Sequence, residues 1–476
     1  MRKTLNAALL VLFVALLTTL SHGQSVEERA GGELSLAPRH FEEYLKSSLP
    51  LPLTDALKKV IEGNYAIKAQ QEEEGAARAG FDYAKSFGLP RVDLQLGYTV
   101  SDNPVNVFAF KLNQARFTMQ DFDIQSLNDP ASTTNFNAGL QVKYPLYTGG
   151  RVELAMDAAK ENIKASRQAT SETSRGMLSN MLQSYLAGAL LIETIKVLDE
   201  SLQVAEKQVK LARSFYDHGL VVKSDVLGAE VYFAMTLQER NRVFGKLQNL
   251  NEVLNRLMGI EEKRSYSLDY DFGMLPEVRE DYAALEKMAL EKRPDYIQVL
   301  HQRTAFAKMK SAEERSSQPE VGFYGLAQHN DRGFFVQGSG DMTAGIYASM
   351  PLFDGGQRKA RVDEYRAKLK ALDHRIEMLR LTIRGEVRES LTDYNTALAN
   401  IRASEQQVSQ AKENFRIVSN RYRAGLSTSL DVQQSETVER QAKLSRLSAS
   451  HDIQAAFYRI QVATGAIIDG MGLSAK

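Results

Sequence analysis

Apolar side chains recur at steps of three and four residues along two long stretches of the chain. The recurring positions include Leu178, Leu182, Tyr185, Ala189, Ile192, Ile376, Leu379, Ile383, Val387 and Leu391. A mean step of about 3.5 is typical of helices packed side by side as in coiled coils. No proline, which breaks helices, occurs in 146–275 or 352–476. The pattern predicts helices over about 152–215 and 357–422, each roughly 100 Å long at about 1.5 Å per residue.

Apolar and polar residues alternate in four shorter segments, at about 90–101, 136–147, 319–329 and 342–353. The clearest run places Val92, Leu94, Leu96, Tyr98 and Val100 on one side. A period of two over roughly ten residues is typical of outer-membrane strands, and an antiparallel sheet with one wet face shows the same alternation. The third segment has the weakest alternation of the four. These segments predict two strand pairs.

The two halves of the chain are copies of one another. The segment 144–150 (YPLYTGG) matches 350–356 (MPLFDGG) at an offset of 206 residues. The same offset relates Gly219 to Gly425 and Gly259 to Gly465, whereas upstream the offset becomes 229. The chain therefore has two internal repeats, at 50–275 and 276–470, preceded by an N-terminal extension at 24–49. The first copy carries the longer connection, and we expect 102–135 to be the larger external loop.

The N-terminus indicates export. Arg2 and Lys3 precede an apolar run from Ala7 to Leu20, and Ser21 and Gly23 then supply small residues at the −3 and −1 positions of a cleavage site. This layout predicts a signal peptide at 1–23, because fourteen apolar residues are fewer than the roughly 20 that a retained membrane helix needs. No other stretch looks long and apolar enough for a transmembrane helix.

Composition closes most other classes of function. Zero cysteines exclude disulfides, thiolate zinc sites, a cysteine nucleophile and a lipid anchor on cysteine. Equal numbers of acids and bases, 59 each, give no electrostatic argument for nucleic acid. The seven histidines lack metal-ligand spacing, and no GxSxG or HExxH motif occurs. We therefore predict no catalytic residue, metal or cofactor.

Four strands per chain constrain the assembly. An open four-stranded sheet cannot lie in lipid, because the hydrogen-bonding groups at its edges have no partners there. Closure requires several chains, and three would give about twelve strands, an even number within the usual range of membrane barrels.

The order helix, strand, strand, long helix, turn, helix occurs twice in the chain. In this order the chain resembles the TolC-type outer-membrane efflux and secretion channels. The matching segments are 53–57 (LTDAL), 144–151 (YPLYTGGR), 421–426 (RYRAGL) and 430–432 (LDV). The resemblance implies a mainly α chain with a membrane β-barrel part, in which a homotrimer shares a 12-stranded β-barrel and a long α-helical barrel. It also implies export of small molecules or proteins across the periplasm and the outer membrane. The implied partners are a periplasmic adaptor (membrane fusion) protein, an inner-membrane transporter and outer-membrane lipid.

The same resemblance assigns roles at the two helix–turn–helix tips. Asp225 and Tyr422 match partners in the family's periplasmic gate, and Asp431 matches an aspartate that rings the pore. Ser427 stands where an arginine would pair with Asp225, and Gln434 replaces a second ring aspartate. The adaptor-docking tips would be Gly219, Leu220, Gly425 and Leu426.

A plainer interpretation of the tips is helix capping, by Ser224 or Asp225 in the first and by Ser429 or Asp431 in the second. Two other classes of function share some features of the chain. A periplasmic coiled-coil adaptor or scaffold would have the helices and signal peptide, but only a single hairpin. A soluble periplasmic enzyme with a helical fold lacks motifs to support it.

Overall fold

Two compact units, each containing segments of both repeats, make up the protein. The computed structural model describes residues 37–273, 276–334 and 338–467. The first unit comprises the chain up to Glu62, Asn180–Glu277 and Asp393–Ala456, and the second comprises Gly63–Ser179, Val278–Thr392 and the chain from Phe457 onward. The predicted signal peptide lies outside the described residues.

Helices dominate both units. In chain order the elements are α1 (Ala37–Ser47), β1 (Leu49–Pro50), α2 (Leu53–Gly63), α3 (Tyr65–Ser86), β2 (Arg91–Ser101), α4 (Pro104–Asn113), a 3₁₀ turn (Met119–Phe122), α5 (Ile124–Asn128), β3 (Thr133–Tyr147), α6 (Arg151–Asp217), α7 (Lys223–Met258), β4 (Tyr266–Ser267), α8 (Tyr282–Lys292), α9 (Pro294–Glu314), a second 3₁₀ turn (Arg315–Ser317), β5 (Glu320–Asp331), β6 (Ser339–Ser349), α10 (Gln357–Arg423) and α11 (Ser429–Ala463). The helices α6 and α10 each have 67 residues. At 1.5 Å per residue each is about 100 Å long.

The backbone repeats at the same spacing as the sequence. Helices α6 and α10 begin 206 residues apart, as do α7 and α11. Among the described residues, the glycines with positive φ form four pairs at this spacing: Gly149 and Gly355, Gly150 and Gly356, Gly219 and Gly425, and Gly259 and Gly465. Positive φ is readily accessible only to glycine, so the duplicated glycines mark the same turns in both copies.

The four longer strands form one antiparallel sheet in the second unit, in the order β2-β3-β5-β6. Strand β5, which has the weakest alternation, lies in the centre between β3 and β6. Strand β6 ends at Ser349, before the predicted end at 353, because Ser349 pairs with Glu320, the first residue of its partner β5. Strands β2 and β6 form the two edges of this sheet.

The two faces of the sheet differ in chemistry. One face exposes apolar side chains, and the most exposed are Val92, Leu94, Leu96, Tyr98, Val100, Met342 and Ile346. The other face carries amides, which bond across the strands: Asn137 Nδ2 donates to Asn330 Oδ1 over 3.0 Å. A sheet with one apolar, exposed face has the pattern expected of a membrane strand surface.

The N-terminal extension is partly folded into the first unit. Its helix α1 packs on α7, and β1 pairs in parallel with β4. The hydroxyl of the buried Tyr44 donates to the carbonyl of Tyr266 over 3.2 Å and accepts a hydrogen bond from Asn251 Nδ2 over 2.8 Å. Because these groups are buried, their hydrogen bonds fix the geometry of this region.

One helix departs from the expectation about apolar stretches. By length and composition, α6 contains an 18-residue window that is apolar enough to cross a bilayer, and half of that window is buried within the protein. Buried positions of this helix include Leu178, Leu182, Tyr185, Leu186, Ile195 and Leu198. A core helix in contact with several neighbours carries apolar residues over much of its circumference, which raises its hydropathy.

Candidate functional site

The two tips connect α6 to α7 and α10 to α11, and both lie in the first unit. Each helix ends in the same hydrogen-bonded turn. In the first tip Gly219 N–H donates to the carbonyl of Tyr216 over 2.9 Å, and Leu220 N–H donates to that of Phe215 over 2.9 Å. In the second tip the corresponding distances, from Gly425 and Leu426, are 3.0 and 2.8 Å. This is the Schellman motif, which requires the left-handed glycine.

The second tip begins its returning helix with a complete capping box. Thr428 N–H donates to Asp431 Oδ2 over 2.9 Å, and Asp431 N–H donates to Thr428 Oγ1 over 3.2 Å. Ser427 also donates to this carboxylate, over 2.9 Å. The backbone N–H of Thr428, its hydroxyl and that of Ser427 hold the pKa of Asp431 below its usual value. Thr428 is thus the N-cap, not Ser429, and Asp431 is its partner three residues later.

The first tip has no equivalent cap. Its N-cap is Val222, whose apolar side chain cannot accept a hydrogen bond from the helix N-terminus. Within the described residues, the half-buried carboxylate of Asp225 forms no hydrogen bond or ion pair. The capping interpretation therefore accounts for Asp431, in partnership with Thr428, and does not account for Asp225.

Tyr422 lies beside this carboxylate. Burial raises the pKa of Tyr422, the Ser429 side chain opposes that shift, and the charge of Asp225 adds to it. The Tyr422 ring is in contact with Phe215, with ring centroids 5.7 Å apart. Its buried hydroxyl has no hydrogen-bond partner of ordinary geometry among the residues described. The structure thus brings Asp225 and Tyr422 together, and both have capacity for a partner outside the chain.

Exposed apolar residues at the tips include a stripe that the sequence reasoning missed. Leu220 and Leu426 are 69% and 68% exposed. On α7 the exposed residues Leu227, Val231 and Met235 form this stripe, whereas the second copy has Gln433, Thr437 and Gln441 at the same positions. Aligning the copies at 206 residues would have revealed the difference. Gln434, which we expected at the gate, is exposed on α11.

Within the chain, α11 occupies the groove between α6 and α7. Arg440 Nη1 donates to Tyr232 Oη over 2.9 Å and lies 3.3 Å from Thr236 Oγ1, and Lys443 Nζ is 3.2 Å from Glu200 Oε2. The equivalent groove between α10 and α11 is open among the residues that the structure describes. Its lining includes Gln407, Gln410, Ala411, Val438 and Ala442.

Metal ligands do not cluster in the described part of the chain: no group of three or more His, Asp or Glu side chains there could hold a metal ion. The tips therefore offer carboxylates, one buried phenol and apolar surface. This chemistry suits contact with other protein chains and with passing ions.

Comparison with known proteins gives a family match over most of the chain. The model of the family described as outer membrane efflux protein matches residues 56–260 and 285–466. The outer membrane efflux protein BepC of Brucella suis is 19% identical over 343 residues, covering 71% of this chain and 74% of BepC. The cation efflux system protein CusC of Escherichia coli is 23% identical over 357 residues, covering 69% and 73%.

Solved structures share the fold. The CmeC outer membrane channel of Campylobacter jejuni has a TM-score of 0.75 at 16% identity, covering 87% of this chain and 86% of that one. The outer membrane protein VceC of Vibrio cholerae has a TM-score of 0.70 at 18% identity, covering 87% and 96%.

Proposed function

The chain belongs to the outer membrane efflux protein family, and from that premise we propose that three copies form one export channel. In this proposal the strands close into a 12-stranded barrel in the outer membrane, and the long helices form a duct through the periplasm. A periplasmic adaptor and an inner-membrane transporter complete the path for small molecules or proteins. The observation that carries the proposal is that the contacts by which the first repeat packs on the second have an unfilled counterpart on the second repeat, both in the sheet and in the helices.

The sheet supports closure by other copies of the chain. Strand β3, the second strand of the first repeat, pairs with β5, the first strand of the second repeat. Applying the repeat, β6 should pair with β2 of a neighbouring copy. Within the chain, Val142 of β3 lies opposite Gly325 of β5. The repeat places Ala348 of β6 at the position of Val142, and Leu96 of a neighbour's β2 at the position of Gly325. Both Ala348 and Leu96 lie on the apolar face. Pairing of the two edges would satisfy the backbone groups that lipid cannot.

The helices support the same closure independently. The groove between α6 and α7 holds α11, so the open groove between α10 and α11 should hold α7 of a neighbour. Within the chain, Arg440 Nη1 of α11 lies 3.3 Å from Thr236 Oγ1 of α7. The repeat places Ala234 of a neighbour's α7 at the position of Arg440, and Ala442 of α11 at the position of Thr236. Two small residues at this position permit close packing of the two helices.

The tips then meet around the axis of the assembly. Asp225 and Tyr422, which retain bonding capacity, would bind neighbouring tips and form the periplasmic gate. Asp431 would lie in the ring of carboxylates, still held by its capping box. The exposed Leu220 and Leu426, each following its Schellman glycine, would contact the adaptor. A periplasmic adaptor or scaffold as the function of this chain itself has no support from a four-stranded sheet with an exposed apolar face.

A disulfide between copies tests the assembly directly, because the chain has no cysteine of its own. We expect the double variant Leu96→Cys, Ala348→Cys to form covalent trimers in oxidised membranes, because residues opposite one another on paired strands have Cβ atoms about 5 Å apart. Denaturing gel electrophoresis without reductant would show a band at three times the chain mass, together with a dimer intermediate.

The matched control pairs Ala348→Cys with Val100→Cys. Val100 lies four residues further along β2 on the same face, about 13 Å from Leu96, which is beyond the reach of a disulfide. Each single variant should stay monomeric on the gel. If the Val100 pair cross-links as well as the Leu96 pair, or if neither does in folded protein, the proposed strand pairing is wrong.

A further inference from the structure

The connection between β2 and β3 is a folded insert. It runs from the C-terminal end of β2 to the N-terminal end of β3, which are the strand ends away from α3 and α6. It contains α4, the first 3₁₀ turn and α5. The connection between β5 and β6 joins the same end of the sheet through only 332–338. The long connection therefore does more than reverse the chain.

One glutamine anchors the insert to the sheet. Gln114 is 2% exposed, and its Nε2 lies 2.9 Å from the carbonyl of Thr134, 2.8 Å from Asn135 Oδ1 and 3.1 Å from the carbonyl of Asp331. The acceptors belong to both β3 and β5. Asn135 in turn donates to Asn330 Oδ1 over 3.0 Å. Because this amide cluster lies on the polar face near the ends of β3 and β5, the insert covers that end of the polar face.

Local contacts hold the insert in shape. Lys111 Nζ bonds Asp121 Oδ1 over 2.7 Å, and this ion pair with the Thr118 N–H and hydroxyl lowers the pKa of Asp121 to about 2. Phe117 contacts both Phe108 and Phe122, with centroids 4.7 and 5.1 Å apart. Directly after Gln114, Ala115 adopts a φ of +52°, unlike every other non-glycine residue described. Such a strained backbone persists only where its surroundings determine it.

We propose that this insert is a size filter at the outer end of the channel. The inference rests on the proposed function, in which the polar face lines the lumen. Each copy would place one insert over the lumen at the end of the strands away from the long helices. Three inserts would narrow the opening and limit the size of solute that passes between the lumen and the outside. The second copy's short connection leaves space for them.

Cysteine labelling of intact cells tests this proposal. Gln141→Cys lies on the polar face in the middle of β3, and Leu140→Cys lies on the apolar face beside it. When the insert is intact, we expect a small maleimide to label Gln141→Cys and a large polyethylene-glycol maleimide to label it poorly. Replacement of residues 104–130 by a short Gly-Ser linker should speed labelling by the large reagent several-fold and leave the small reagent nearly unchanged.

A point variant covers the case in which the deletion does not fold. Gln114→Ala removes the anchor and should give a smaller increase in labelling by the large reagent. The control Gln120→Ala changes an exposed residue of the same insert and should give none. Equal labelling by the large reagent in all folded variants would overturn the filter. Labelling of Leu140→Cys in place of Gln141→Cys would instead contradict the channel itself.

Discussion

The two tips have the same backbone and different side-chain chemistry. Both end in a Schellman glycine with φ near +74°, at Gly219 (+73°) and Gly425 (+75°). The second tip binds its aspartate in a capping box, whereas the first has Val222 at the cap, and its aspartate has no hydrogen-bond or ion-pair partner among the described residues. The duplication has kept what the turn needs physically, and it has diverged where side chains can meet other chains.

The largest effect we expect comes from the residues next to the glycines. Leu220→Glu together with Leu426→Glu should abolish export, because desolvating two carboxylates against an apolar partner is costly. The measurement is export by cells, with trimer formation checked on gels. Leu381→Glu, at a similarly exposed site of α10, serves as the control and should export normally. Normal export by the double variant would exclude these residues as the docking site.

The two aspartates should differ in their effect on the gate. Asp225→Ala should raise single-channel conductance in planar bilayers, because it removes a carboxylate available to a neighbouring tip. Asp431→Ala should weaken cation selectivity and block by divalent cations, because converging carboxylates attract cations. Asp217→Ala, an exposed aspartate of the first tip, is the control. Unchanged conductance, selectivity and block in Asp431→Ala would remove Asp431 from the constriction.

The shared turn should respond equally in both copies. Gly219→Ala and Gly425→Ala should each cost about 1–2 kcal/mol, because alanine pays for the left-handed conformation. Apart from the adjoining residues of the chain, no described atom lies within 4 Å of the added Cβ at either site, so the cost is conformational. Gly245→Ala, in the regular part of α7, should instead stabilise the helix. Thermal unfolding of the purified protein measures all three, and unequal losses at the tips would show that their surroundings differ.

Exchange of the caps should reverse the difference between the tips. Val222→Thr installs in the first copy the threonine of the second, three residues before Asp225, and should gain up to about 1 kcal/mol. Thr428→Val should lose about 1 kcal/mol by the same argument. Thermal unfolding again reports both changes. A loss of stability in Val222→Thr would mean that Asp225 is already engaged elsewhere in the assembly.

The smallest effect that we expect is on how the unfolding temperature depends on pH. Because the pKa of Asp431 is lowered in the folded chain, its charged form stabilises the tip above its ordinary pKa of about 3.9. That contribution is lost as the pH falls through the lowered value. The unfolding temperature of Asp431→Asn should therefore fall less steeply in acid than that of the parent protein. Parallel curves would contradict a role for this charge in stability.

Most of the secondary structure could be predicted from the sequence, because the hydrophobic periodicity and the positions of glycine and proline indicate the same elements. Helices predicted at about 152–215 and 357–422 are found at Arg151–Asp217 and Gln357–Arg423. Predicted strand ends differed by a few residues, as at Pro351, where alternation continues although hydrogen bonding stops. The site was harder to read. Its glycines and aspartates were found by repetition, but the cap at Thr428 was missed because Ser429 and Asp431 looked equally suitable.

The sequence by itself determined the repeats, the long helices and the four strands, since these follow from local periodicity and from where glycine and proline fall. It also determined that no thiol chemistry is possible. Only the tertiary structure decided which aspartate is bonded within the chain, which groove α11 fills and which is open. It also showed that the long external connection folds back onto the polar face. Those outcomes depend on contacts between residues far apart in the chain, such as Gln114 with Asp331 and Arg440 with Tyr232, which no local pattern encodes.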